Sequence, residues 1–578
     1  MTVTENRPTT AAASEDAAIV GPPRESGLAA ALATTDHKAI ARMYILLGLA
    51  GGLLATVLSM LVALERSDIS GIEVFTWGAE SQTFFQAWSL GRTSLLFFCV
   101  MPLLIGLATY IVPLQVGAPS IAFPRAAAAA FWTWLLAMGI HIATVFVDGG
   151  LGVPENTSQA AQGSDVEAVE LSLLSIGIVA IALMLATVCI LTTVIAQRPE
   201  GMSLWDLPLF AWSMLVAGGV WLLALPVWLA NLTIVWVDFR GADAVRYGRV
   251  DAIWDQLGWL FSQPMVFAFA IPVLGIVGDI VPVSARRRQA SYAVMQSAIA
   301  ALGFLSFGAF AQPVFNAEVS QQPLFVVMSL LLAIPVLVVF GGLADTLAKG
   351  KPQFSAQLVL GLFAMGMLLA GAGAAALHVS GPAIGVVREF DQDWLAEVID
   401  PLEDLLGTVI ASGVMQYALF AAVIGAVAGL YHWAPKIFGR RLNPGAGVLA
   451  ALALVGGTVL VALTDVVNGF LDEGDEVFRS VGDRDAYAEV WDADAVELFN
   501  LIGFVGAILL IAGLALVVLD VTVSGLIGKG DDTDADDPWN GHTLEWATAS
   551  PPPFGNFEQA PAGITSERPL LDWKEEDA

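Results

Sequence analysis

The sequence predicts an all-α membrane protein with twelve transmembrane helices. Of its 578 residues, 57% are hydrophobic and 14% are charged, and the mean hydropathy is +0.73. Soluble domains are about 45–50% apolar and about 25% charged, so this composition is typical of a membrane protein. The apolar stretches are continuous rather than alternating, which favours helices over a β-barrel because each helix satisfies its own backbone.

Each apolar stretch is long enough to cross a bilayer, which takes about 20 residues. An even number of crossings places both termini on the same side of the membrane. The predicted spans lie at about 40–64, 93–114, 127–147, 171–196, 207–234, 256–283, 292–315, 323–346, 355–378, 405–434, 445–468 and 498–526.

The basic residues orient these spans. If the N-terminus is cytoplasmic, seventeen of the 25 Lys and Arg residues fall on the cytoplasmic side, as the positive-inside rule expects. We therefore expect a multi-pass protein of the cell membrane with both termini in the cytoplasm. Its predicted regions are a flexible N-terminal tail (1–33), a membrane domain (34–526) and an acidic, Pro-containing cytoplasmic tail (527–578).

The charge balance excludes a nucleic-acid-binding protein, since 54 acidic residues against 25 basic ones give a formal net charge of -29. Much of the excess lies in two predicted outer loops, 379–404 and 469–497. These loops are interpreted as solvated surface, with a salt-adapted organism as the alternative. Cys99 and Cys189 lie in apolar stretches and imply no disulfide framework. Membrane lipid is the expected surrounding partner.

Several loop motifs resemble one family. They include Thr-Thr-Asp-His-Lys at 34–38, Val-Pro-Leu-Gln-Val-Gly-Ala-Pro at 112–119, Tyr-His-Trp-Ala-Pro-Lys at 431–436 and Thr-Leu-Glu-Trp at 543–546. Together, in this order and spacing, they resemble subunit I of the heme–copper oxidases, of the cytochrome c oxidase type, from about residue 34 to residue 571. The resemblance implies twelve helices around two haems and copper, and reduction of dioxygen to water coupled to proton pumping.

The resemblance also implies six histidine ligands, because imidazole suits both iron and copper. This chain has only five histidines, and none falls on a ligand position. The low-spin haem positions are Gly91 and Met415, and the high-spin haem position is Gly413. The copper-ligand positions of the family are occupied here by Gln263, Gln312 and Pro313.

The positions that handle protons in the family are replaced as well. By resemblance these positions are Ser120, Met265, Phe267 (the tyrosine position) and Val339. Glu403 and Asp404 replace a His-Asp pair that binds magnesium in the family. They are weak Mg²⁺ or Ca²⁺ candidates, and solvation of an acidic loop is the alternative.

Two histidines remain near helix ends that face outward. His141 and His378 are interpreted as wetted or capping residues, with a metal site as the alternative. We also expect the helices to close, with bulky side chains, over the space that haem fills in the family, because empty volume costs about 24 cal/mol per Å³.

These replacements predict a chain without cofactors that is not catalytic. It would be a structural or regulatory subunit of a respiratory-chain assembly. Its expected partners are other oxidase subunits or a catalytic subunit I homologue. One alternative is a working terminal oxidase, as the family implies. The other is a transporter or carrier of an apolar ligand in the vacated haem cavity, with Gln263, Gln312 and Asn231 as polar groups.

Overall fold

Apolar helices make up most of the described chain and confirm the predicted fold class. In this computed structural model one compact unit covers Thr35–Ala578. No strand longer than an isolated bridge, Thr408 with Gly474, occurs among the described residues. The structure describes residues 34–67, 81–147, 150–151, 166–242, 253–307, 323–380, 405, 408–471, 473–474, 493–528, 530, 537–559, 561, 564 and 566–576.

Ten helices in the described ranges are long and apolar enough to cross a membrane, and two shorter apolar helices bring the number to the predicted twelve. In chain order they are α1 (His37–Arg66), α2 (Phe84–Gln115), α3 (Pro124–Thr144), α4 (Ala168–Ala196), α5 (Leu209–Arg240), α6 (Ile271–Ala285), α7 (Tyr292–Ser306), α8 (Phe325–Lys349), α9 (Ala356–His378), α10 (Ile410–Phe438), α11 (Pro444–Gly469) and α12 (Ala495–Leu526).

Helix starts follow the usual capping chemistry. The Asp36 carboxylate accepts a hydrogen bond from the Lys38 amide at 3.0 Å and so caps α1. The Asn443 side chain caps α11 in the same way, ahead of Pro444 at the first helical position. These caps satisfy backbone N–H groups that have no partner inside a helix.

The helices pack so that α2 and α10 lie at the centre of the bundle. The most apolar 18-residue stretches of these two helices are 100% and 89% buried, respectively. Around them, α1 packs on α2 and α12, α11 packs on α10 and α12, and α6 packs on α5, α9 and α10. The two helices that carry the expected haem positions Gly91, Gly413 and Met415 are therefore the best buried ones.

The sixth predicted span is broken, although the sequence analysis expected one helix over 256–283. A short helix at Ile253–Leu257 runs into a 3₁₀ turn at Gly258–Leu260. A second 3₁₀ segment follows at Met265–Phe269, and α6 begins only at Ile271. Pro264 lies between the two 3₁₀ segments. Proline lacks the N–H that would continue the helical hydrogen bonds, and its ring clashes with the preceding turn.

The C-terminal segment folds back onto one end of the bundle, here called the C-terminal end. There the Trp539 indole donates to the His432 carbonyl oxygen at 2.9 Å, and the Asn556 amide donates to the Ala118 carbonyl oxygen at 2.8 Å. The other end of the bundle, where α1 ends at Arg66, is called the distal end. The N-terminal tail 1–33 lies outside the described residues, and the cytoplasmic placement of both termini stays a prediction.

Candidate functional site

Two of the expected haem positions face one cavity. Gly91 of α2 and Met415 of α10 both line a cavity of about 70 Å³, which is enclosed by α1, α2, α10, α11 and α12. A cavity of about 150 Å³ holds a benzene molecule, and a water molecule takes about 30 Å³. In this conformation the cavity has about half the volume of the one that holds benzene, which is far less than a porphyrin needs.

Gly91 leaves space for a side chain, whereas Gly413 does not. A β-carbon at Gly91 would lie 3.5 Å from the Leu58 β-carbon and from the Ser59 hydroxyl of α1, which is ordinary contact. A β-carbon at Gly413 would lie 2.8 Å from the carbonyl oxygen of Ala462 and 3.0 Å from a methyl group of Val466, both on α11. Gly413 therefore serves the close crossing of α10 and α11.

The Gln263 position lies in the broken start of the sixth span. The Gln263 side chain is buried, and its amide donates to the Ala375 carbonyl oxygen of α9 at 3.0 Å. Its amide oxygen has no hydrogen-bond partner among the described residues. The side chain thus ties the non-helical segment to α9. The Gln263 and Gly413 positions thus contact different helices, α9 and α11.

The expected proton-handling positions on α8 and in the 3₁₀ segment before α6 are apolar and fully buried. Met265, Phe267 and Val339 have no exposed surface. The Phe267 ring lies 3.7 Å from the place of a β-carbon on Gly371, which also borders the Tyr417 side chain. These contacts make Phe267 a packing residue between α9 and α10. Ser120 lies in the loop between α2 and α3, where its hydroxyl donates to the Ile121 carbonyl oxygen at 3.2 Å.

Four further expected site residues cannot be placed. Gln312 and Pro313, the paired copper positions, lie outside the described residues, as do the weak cation candidates Glu403 and Asp404. Among the residues that are described, no group of three or more His, Cys, Asp or Glu side chains could hold a metal ion.

The two histidines near helix ends are buried, which corrects the expectation of wetted residues. His141 is 1% exposed, its Nε2 lies 2.8 Å from the Ser94 hydroxyl oxygen, and its ring packs 4.6 Å from the ring of Phe98. His378 is buried at the end of α9. Ser94 begins a π-helical segment within α2, and the altered register aims its hydroxyl at α3.

A charged cluster near the distal end was missed by the sequence analysis. The Arg66 guanidinium lies 3.0 Å from the Glu473 carboxylate and 3.5 Å from that of Asp465. Asp465 in turn accepts a hydrogen bond from the Gln416 amide at 2.9 Å. The available signal was Asp465 itself, since an ionisable residue inside an apolar span is costly and marks a partner or a function.

A second arginine borders the same cavity. The Arg92 guanidinium lies 3.6 Å from the centre of the Trp88 ring and donates a short hydrogen bond to the Ser412 hydroxyl. Arg66, Arg92 and Asp465 all line the cavity beside Gly91 and Met415. Gly91 and Met415 therefore line the same cavity as an ion pair that joins α1 to α11 and a hydrogen bond that joins α2 to α10.

Buried polar residues at the C-terminal end hold the tail on the bundle. The Gln115 amide donates to the Asp279 carboxylate at 2.8 Å and to that of Glu545 at 3.2 Å, and the Trp433 indole also donates to Glu545. Burial raises the pKa of the Glu545 carboxyl above its ordinary 4.5. Burial, followed by the nearby Arg568 charge, lowers the pKa of His542 to about 4.

These features define a multi-pass helical membrane protein whose two central helices carry the expected haem positions. Residues 39–389 match the family model described as Cytochrome C and Quinol oxidase polypeptide I. The chain belongs to this family, the subunit I family of the heme–copper oxidases. It is 29% identical to the cytochrome c oxidase subunit 1 of Corynebacterium glutamicum, over 94% of this chain and 88% of that protein. It is 28% identical to the protein of the same name from Corynebacterium diphtheriae, over 94% and 91% of the two chains.

Family membership corrects the expectation of a chain without cofactors. The relatives are cytochrome c oxidase subunit 1 proteins, and these bind haems and copper. That expectation, drawn from the missing ligands alone, is therefore wrong for the class of protein to which the chain belongs. The described residues are still a poor fit to the family's ligand set, because Gly91 and Gly413 have no donor atom and the Gln263 amide is bonded to Ala375.

Proposed function

We propose that this chain is a cytochrome c oxidase subunit I-like membrane subunit with a structural or regulatory role in a respiratory-chain assembly, and that it does not itself reduce dioxygen. One observation carries the proposal. Met265, Phe267 and Val339, at positions that the resemblance assigns to proton handling, are apolar and have no exposed surface.

Oxygen reduction consumes protons, and their delivery through a bilayer requires ionisable or polar side chains along the path. A buried methionine, phenylalanine or valine neither carries a proton nor favours a file of water molecules. Phe267 packs beside Gly371 of α9 and has no exposed surface. The same positions thus support packing of the central helices and not proton transfer.

The motifs that resemble the family contribute to the packing of this chain itself. Lys436, His432, Trp546 and Glu545 are all buried, and each contacts the fold of this chain itself. Their retention therefore has an intramolecular reason and does not require a partner. The proposed assembly rests on the family, whose members are membrane oxidase subunits that work with other oxidase subunits.

The test is to produce the chain as the sole subunit I in cells that keep the remaining oxidase subunits. We expect an affinity tag on the full chain to recover those subunits, and the preparation to consume no dioxygen with reduced cytochrome c as donor. A matched preparation with a catalytic subunit I supplies the positive control. Dioxygen consumption by this preparation, or recovery of the chain without any oxidase subunit, would contradict the proposal.

The carrier alternative is less well supported. The cavity between Gly91 and Met415 is about 70 Å³, and the Gln263 amide is engaged by Ala375. A carrier site needs polar groups that converge on a space of ligand size near the membrane midplane. Of the polar residues proposed for it, Gln263 and Asn231 are described, and neither lines this cavity.

A further inference from the structure

A second and larger cavity lies between α4 and α5, and none of its lining residues is an expected haem or copper position. It measures about 510 Å³ and is open to the surface of the protein. Its apolar wall includes Leu174, Ile178 and Ile181 of α4 and Leu229 of α5, and two of these side chains, Leu174 and Ile181, are about half exposed. Exposed leucine and isoleucine on a membrane-spanning helix face hydrocarbon.

Gly177 opens this groove. A β-carbon at Gly177 would lie 3.5 Å from the Leu232 side chain and 3.9 Å from that of Leu229, so a side chain would fit there and project toward the groove. The groove's volume of about 510 Å³ is several times the about 150 Å³ that holds a benzene molecule, so the groove has room for an extended apolar chain.

One mouth of the groove carries charge. Arg240 and Glu170 both line it, and the Arg240 Nη2 donates to the Glu170 carboxylate at 2.8 Å, with Nε on the other carboxylate oxygen. The Arg240 guanidinium also lies 5.6 Å from the centre of the Trp236 ring. Glu170 therefore fixes the plane of the Arg240 guanidinium. The Arg240 side chain is 59% exposed, and its Nη1 hydrogens are left for another acceptor.

The depth of Arg240 matches a lipid headgroup. The span Leu209–Arg240 has 32 residues, which at about 1.5 Å per residue is about 48 Å, longer than the hydrocarbon core of about 30 Å. The end of α5 therefore reaches the headgroup region, where tryptophan is commonly found. Arginine binds phosphate oxygens well because its planar donors match their geometry.

We propose that this groove is a specific binding site for one phospholipid, with an acyl chain against Gly177, Ile178 and Ile181 and the phosphodiester on Arg240. The site is independent of the proposed function, since it uses none of the haem, copper or proton positions. Its occupant is a phospholipid and not a quinone, because the charged mouth supplies an oriented guanidinium at headgroup depth for a phosphate.

The experiment titrates purified, delipidated full-length chain with phosphatidylglycerol and counts bound lipid by native mass spectrometry. We expect one lipid to bind more tightly than the rest. Gly177→Leu, which fills the groove, should weaken this binding at least tenfold, and Arg240→Gln should weaken it several-fold. Gly366→Leu on α9 is the matched control, because no described atom outside its own stretch of helix lies within 4 Å of a β-carbon at Gly366, and it should bind as the wild type does.

Ile181→Trp provides a second way to fill the groove if Gly177→Leu does not fold, since Ile181 is half exposed and tolerates a larger side chain. Equal binding by the control and all groove variants would overturn the proposal. The proposal would also be overturned if the groove bound ubiquinone or menaquinone in place of phosphatidylglycerol, and if the groove variants abolished that quinone binding. Inorganic phosphate that binds with the same dependence on Arg240 would likewise show that no lipid chain is recognised.

Discussion

Gly413 of α10 lies against Ala462 of α11 so closely that a β-carbon at position 413 would stand 2.8 Å from the Ala462 carbonyl oxygen. Real β-carbons essentially never approach another atom closer than 3.0 Å, so any side chain at this position requires the two helices to separate. The position that resemblance assigns to the high-spin haem ligand is thus also a helix-crossing point in this chain.

Gly413→Ala should therefore destabilise the protein. Overpacking of a close helix crossing costs about 1–3 kcal/mol, and a backbone oxygen cannot move aside as a flexible side chain can. We expect a lower thermal midpoint for the purified protein. Gly139→Ala on α3 is the control, because no atom of another described element lies within 4 Å of its β-carbon position and alanine favours a helix. An unchanged midpoint for Gly413→Ala would contradict the tight crossing.

Arg66→Met should destabilise the distal end, because it removes the partner of two buried carboxylates, Asp465 and Glu473. Removing one member of a buried ion pair costs about 3–5 kcal/mol. Lys349→Met breaks the exposed pair with Asp345 on α8, worth about 0–1 kcal/mol, and is the matched control. The measurement is thermal unfolding. Adding Asp465→Asn and Glu473→Gln to Arg66→Met should recover much of the loss, and failure to do so would argue against the ion pairs.

Glu545→Gln should reduce the loss of unfolding free energy that the wild type shows as pH rises above 4.5. Burial raises the pKa of Glu545 in the folded chain, so the folded state binds more protons than the unfolded state above that pH. The free energy of unfolding then decreases as pH rises from 4.5 through the folded pKa. Glutamine keeps an oxygen that can accept from Trp433 and Gln115. The exposed Glu558→Gln is the control, and equal pH profiles for both variants would refute the prediction.

His542 should produce the opposite slope. Its pKa falls from 6.5 to about 4 in the folded chain because burial disfavours the charged imidazole. Stability from this residue is therefore complete above pH 6.5 and is lost as pH falls toward 4. His542→Gln should reduce acid destabilisation in that window, measured as the thermal midpoint at several pH values. A variant as acid-sensitive as the wild type would show that His542 is not the titrating group.

The sequence predicted the spans well because hydropathy is a local property that each segment carries alone. It failed for the sixth predicted span, 256–283. There Pro264 lies between two 3₁₀ segments, and the α-helix begins only at Ile271. The assignment of residues to the haem, copper and proton positions stays a prediction from motifs at fixed spacing. The sequence could not predict whether such a position faces a cavity, as Gly91 does, or a neighbouring helix, as Gly413 does.

By itself, then, the sequence determined the membrane class, the twelve helices and the family resemblance. The tertiary structure decided which of those residues meet. Arg66 and Glu473 are far apart in the chain, and their pairing depends on how α1 packs beside the end of α11. The lipid-facing groove likewise exists only where Gly177 of one helix lies opposite Leu232 of the next. Such contacts depend on helix packing in three dimensions, which local hydropathy does not encode.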